Sequence, residues 1–137
     1  MKYYTIIELL TWYLGGWDNL MKAFTSIIVV GIIVETMISI IKNNNLSRFT
    51  LVLFFQKIAE YILIGIGNTM DVYIVKDEKS FREIIIIFYT TYECLKILYN
   101  ASEIGLPIPH KIKKILEFIF CNKDVKWWPI HFRAAYW

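Results

Sequence analysis

The hydrophobic pattern of this chain is dominated by three long apolar runs, residues 23–41, 49–70 and 84–99, separated by short polar or charged segments. A helix rises about 1.5 Å per residue, so about 20 residues cross a hydrocarbon core of roughly 30 Å. The first two runs reach that length. The third does so when Phe81 and the segment from Ala101 to Leu106 extend it, with Arg82 and Lys96 snorkelling toward the surface. Ser26 to Val34 and Ile84 to Phe88 are apolar on all sides, unlike the one-sided stripe of a soluble surface helix. The pattern predicts an all-α integral membrane protein with about three transmembrane helices.

The flanking segments carry a different periodicity. Tyr3, Ile6, Ile7, Leu10 and Leu14 share one helical face with Glu8 and Thr11 opposite, which suits an N-terminal interfacial helix over residues 1–17. Gly15 and Gly16 end it, and Asp18 or Asn19 is the expected cap of the next helix. Lys42 to Ser47 (KNNNLS) reads as a turn that makes the first two spans antiparallel neighbours, whereas Asp71 to Glu83 reads as a longer charged connection. Gly105, Pro107 and Pro109 stop the third span before a basic amphipathic helix over residues 110–121, and an aromatic, basic tail fills residues 122–137.

At 137 residues and 57% hydrophobic content, the chain leaves no room for a soluble domain beside the three runs, and a single membrane domain is expected. A net charge of +3, scattered along the chain, argues against nucleic acid as a partner and for membrane lipid, which Lys111, Lys113 and Lys114 would meet at the headgroups. Cys94 and Cys121 lack metal-ligand spacing, and His110 and His131 are isolated, so no metal, cofactor or catalytic residue is expected. Glu8 interrupts the apolar start, which resembles a cleavable signal poorly.

Each long run nevertheless contains ionisable residues: Glu35, then Lys57 and Glu60, then Glu93 and Lys96. A charge at the centre of a membrane helix costs roughly 2.5 to 3.5 kcal/mol on insertion scales, so such groups mark a polar pathway or a contact between helices. Gly31, Glu35 and Ser39 repeat every four residues. Lys57 and Glu60 are three apart, with Asn68 continuing roughly the same face, and Glu93, Lys96 and Asn100 form a third stripe. These eight polar and ionisable side chains, from Glu35 to Asn100, are the candidate pore-lining or interhelical residues. A three-helix subunit offers little interior for them, which makes a homo-oligomer the expected state.

Counting Lys and Arg outside the spans gives five on the side of Lys2, Lys22, Lys76, Lys79 and Arg82. The side of Lys42, Arg48 and the residues after Gly105 holds eight. The excess orients the C-terminus toward the cytoplasm.

From Tyr92 to Leu116, YECLKILYNASEIGLPIPHKIKKIL, the chain resembles the bacteriophage holin family that also contains holin-like proteins of toxin secretion. In that family a last membrane helix with a Glu is followed by an Asn, a Gly-[Leu/Val]-Pro-[Ile/Val]-Pro turn and a basic helix. Glu93, Asn100, Gly105, Leu106, Pro107, Ile108 and Pro109 fit that pattern. Glu35 with Thr36, Lys57 and Asp71 extend the likeness upstream, while Phe49 to Phe55 replaces the usual Gly-rich basic stretch. The resemblance implies a non-enzymatic protein that oligomerises in the bacterial inner membrane and opens lesions for an endolysin or toxin. A small proton-coupled multidrug transporter built around Glu35, and a membrane adaptor that permeabilises nothing, are the alternatives.

Overall fold

A computed structural model describes residues 2–42, 45–76 and 79–121, and every regular element among them is helical. The helices are α1 (Lys2–Tyr13), α2 (Asn19–Ile41), α3 (Leu46–Met70), α4 (Ser80–Glu103) and α5 (His110–Cys121). The tail at residues 122–137 lies outside the described residues. Two helical segments are long and apolar enough to cross a membrane, Asn19–Ile41 and Ser47–Val75. The charges on α4 keep it out of that class by composition, although it has 24 residues and packs along both.

The three long helices begin earlier than hydropathy suggests, at residues 19, 46 and 80 rather than 23, 49 and 84. Hydropathy marks where the apolar stretch begins, whereas caps mark where the helix does. Asp18 accepts the backbone N–H of Met21 at 3.0 Å and starts α2 inside a polar stretch. The charged connection after residue 70 is also largely helical: Asp71–Val75 continues α3 as a π-helical turn closed by Lys76 N–H to the Asp71 carbonyl at 2.9 Å. The Asp71 carboxylate turns the chain into α4 by accepting the N–H groups of Phe81 and Arg82, each at 2.9 Å.

Buried positions recur at steps of three, four or seven residues on all three long helices: Met21, Phe24, Ile28, Gly31, Glu35 and Ile38 on α2, Phe49, Leu53, Lys57, Glu60 and Ile64 on α3, Arg82, Ile86, Glu93, Lys96 and Asn100 on α4. That spacing makes one seam per helix, the geometry of a bundle. The seam is apolar toward the α1 end, where Met21, Phe24, Ile28, Ile64 and Ile86 form a core. It is ionic farther along. Outward, Val29, Ile33, Phe54, Phe55, Ile84, Ile87 and Phe88 are exposed, an inversion of the soluble pattern that fits a lipid surrounding.

Among the described residues, helix α1 meets this bundle through its last turn. The Tyr13 ring lies over Gly65, where any Cβ would collide with it, and its hydroxyl donates to the Ile62 carbonyl at 3.0 Å. Ile6, Ile7, Leu9 and Leu10 stay exposed. Gly105, at φ 97°, ends α4 with the paired bonds of a Schellman cap, Leu106 N–H to Ala101 O and Gly105 N–H to Ser102 O. Helix α5 then lies against α4: Leu116 is buried, and the Phe120 ring stands 6.1 Å from Tyr92 and 5.3 Å from Tyr99. These tyrosines are two turns apart, so the end of α5 reaches back along α4.

Candidate functional site

The five ionisable residues of the apolar runs meet inside one subunit. Lys57 of α3 places its Nζ 2.6 Å from Glu93 Oε1 of α4, closer than the 3.5 Å to Glu60 on its own helix. Lys96 pairs with Glu35 of α2 and stands 3.6 Å from Glu93. The order Glu60, Lys57, Glu93, Lys96, Glu35 is thus a chain of alternating sign that crosses from α3 through α4 to α2. None of the five is more than 7% exposed.

Local geometry explains the convergence. Gly31 of α2 leaves room for the Glu93 carboxylate, whose Oε2 would sit 2.9 Å from a Cβ at that position. A side chain there would displace the carboxylate that joins the two lysines. Ile38, Phe49 and Leu53 are buried toward the α2–α3 turn and the apolar core lies on the other side, so greasy layers enclose the charges from both ends. Ser39 and Asn100 are each 1% exposed, one turn beyond Glu35 and Lys96 on their helices.

Two expectations change. The cost of burying these charges does not by itself demand assembly, because each lysine finds carboxylates within its own subunit. Arg82 and Lys96 do not snorkel either: Arg82 is 0% and Lys96 2% exposed. The Arg82 guanidinium donates to the Asp18 carboxylate at 2.7 and 3.3 Å and to the carbonyls of Leu14 and Gly16. This hydrogen-bonded pairing holds the Asp18 carboxyl below its usual range.

Asn68 separates from the other candidate residues. It lies eight residues beyond Glu60, about 12 Å along α3, and donates to the carbonyls of Trp12 and Tyr13. Lys79 adds a bond to the Gly15 carbonyl at 3.0 Å. Gly15, at φ 78°, permits this junction, since a Cβ there would strike the Asn68 amide and the Arg82 guanidinium. Sequence reasoning missed this latch. Its acceptors are backbone carbonyls at the end of α1, and no residue pattern advertises them.

The turn motif adopts the form described above, with Pro109 O accepting the N–H groups of Ile112 and Lys113 at the start of α5. Lys111, Lys113 and Lys114 are exposed. Glu103 pairs with Lys42 at 3.5 Å on the surface, closing α4 against the end of α2.

The bacteriophage holin family model matches residues 8–119, which takes in all three long helices, the ionic chain and the turn. The chain belongs to the bacteriophage holin family. Among similar proteins, one of Halalkalibacterium halodurans is 21% identical over 109 residues, covering 77% of this chain and 81% of the relative. The Bacillus subtilis protein YtkC is 24% identical over 105 residues, covering 77% and 78%, and a Clostridium acetobutylicum protein is 23% identical over 110 residues, covering 80% and 88%. All three relatives carry the description uncharacterized. No solved structure matches this holin-family chain.

Proposed function

We propose that the protein acts as a holin: it oligomerises in the bacterial inner membrane and opens lesions through which an endolysin or toxin leaves the cytoplasm. In this reading α2, α3 and α4 each cross the bilayer. The 24 residues of α4 extend about 36 Å, beside two helices of membrane-crossing length and composition. Helix α1 lies at the outer interface. Lys111, Lys113 and Lys114 meet cytoplasmic headgroups, in line with the excess of Lys and Arg on that side.

The observation that carries the reading is the ionic chain Glu60–Lys57–Glu93–Lys96–Glu35, sealed between apolar layers inside helices whose outer faces suit lipid. The closed subunit keeps both lysines paired and all five groups buried. Parting α4 from α2 and α3 breaks Lys96–Glu35 and Lys57–Glu93, and the freed groups then require water or partners on another copy. Copies that part together share a hydrated, charge-lined wall. Ser39 and Asn100 extend that wall, whereas Asn68 belongs to the latch at its end.

Purified protein reconstituted in liposomes loaded with dyes of graded size tests the reading. Release of dye with rising protein-to-lipid ratio is expected, and vesicles that stay sealed at high ratio refute it. The second reading, a membrane adaptor, is favoured by the pairing of both buried lysines, Lys57 with Glu93 and Lys96 with Glu35, within one subunit. It predicts sealed vesicles together with a stable complex with another membrane protein.

A further inference from the structure

The ionic chain contains three carboxylates and two ammonium groups, so with every group ionised it carries one uncompensated negative charge in a dry interior. The geometry identifies the surplus. Lys57 is committed to Glu93 at 2.6 Å, and Lys96 to Glu35. Glu60 has only a 3.5 Å share of Lys57. Its side chain is 9% exposed, against 0% for Glu93 and 1% for Glu35.

We infer that Glu60 is a proton-binding site: at neutral pH its carboxyl holds an exchangeable proton, which brings the five-residue network to zero net charge. The inference rests on the bilayer placement of the helices and not on permeabilisation. A carboxylate with only a partial share of one lysine is costly in a low-dielectric site, and taking up a proton is the cheapest remedy. Every charged or titratable group around it has a defined place. Lys57 lies one turn back on α3, Glu93, Lys96 and Tyr89 face it from α4, and Glu35 closes the network from α2. The lysines are taken up by the other carboxylates, and Ile64, one turn farther along α3, begins the apolar core. Glu60 therefore sits at the edge of the charged layer, where a proton can come and go without breaking either tight pair.

Two measurements on the full-length protein in lipid vesicles test this. Infrared spectroscopy reads the carbonyl band of a protonated carboxyl: the wild type is expected to show it at neutral pH, and Glu60→Gln to lack it. No acid band in the wild type, or a band that persists in E60Q, overturns the assignment. The second probe is dicyclohexylcarbodiimide. The carboxyl proton moves to one of its nitrogens while the carboxyl oxygen bonds its central carbon, and acyl migration leaves a stable adduct. Mass spectrometry of the labelled wild type is expected to find the adduct on Glu60 in preference to Glu35 and Glu93, falling about tenfold per pH unit once the group ionises. An adduct on Glu35 or Glu93 instead refutes the proposal even if E60Q does not fold. A protein that releases dye but shows no acid band fails here and leaves the holin reading standing.

Discussion

Replacing Lys57 with Met removes a charge while nearly preserving side-chain volume, so the loss isolates electrostatics from packing. In the native bundle the Lys57 ammonium lies 2.6 Å from Glu93 and 3.5 Å from Glu60. Without it, Lys96 alone faces three carboxylates. Breaking a buried pair by removing one partner costs about 3 to 5 kcal/mol. Proton uptake by the stranded carboxyls limits that figure, so about 3 kcal/mol is expected, roughly a hundredfold in the folded-to-unfolded ratio. The double variant Lys57→Met, Glu93→Leu removes the pair together and returns the network to its native charge balance. Its stability is expected within about 1 kcal/mol of wild type, since buried pairs exchange for apolar residues at little net cost. Reversible unfolding in mixed micelles, titrated with a denaturing detergent and followed by circular dichroism, measures Lys57→Met, Glu93→Leu and the double variant. A coupling near zero, with the double costing the sum of the singles, refutes the buried-pair account. So does a cost for Lys57→Met under about 1 kcal/mol, the size expected of the surface pair Lys42–Glu103.

Because the Asp18 pKa is lowered by the hydrogen bonds from Arg82, the Asp18–Arg82 latch contributes stability above the ordinary carboxylate range and loses it as pH falls through the lowered value. Protease cleavage between α1 and α2 is therefore expected to accelerate in acid, and Asp18→Asn is expected to abolish that acid dependence. Gly65→Ala sets a methyl group against the Tyr13 ring and is expected to free α1 while α2–α4 stay folded, read as loss of a disulfide cross-link engineered between α1 and α3. Gly31→Ala presses on the Glu93 carboxylate and is expected to cost about 1 to 3 kcal/mol by overpacking in the same micelle unfolding assay. Phe120→Ala removes the ring packed on Tyr92 and Tyr99, and spin-label distances between α4 and α5 are expected to broaden.

The helices, the polar stripe on each of the three long ones, and the family are all legible in the order of residues. Length, hydropathy and three- to four-residue spacing are local properties, and the turn from Gly105 to Pro109 is contiguous in the chain. The order of residues also located the eventual partners, since Glu35, Lys57, Glu60, Glu93 and Lys96 all stand on predicted inward faces. What it left open was who meets whom. Spacing ranks only neighbours on the same helix, such as Lys57 with Glu60 and Glu93 with Lys96, and those are the longer contacts, at 3.5 and 3.6 Å. The shorter ones depend on the relative depth of α2, α3 and α4. The close approach at Gly31, the Asp71 link into α4 and the Arg82 latch fix that depth together. Arg82 shows the same division: a flanking arginine looks free to reach headgroups until the end of α1 folds over it with two carbonyls and Asp18 adds a carboxylate. A periodic pattern encodes which face turns inward, but the axial register between helices, and with it every long-range pair, exists only once they pack.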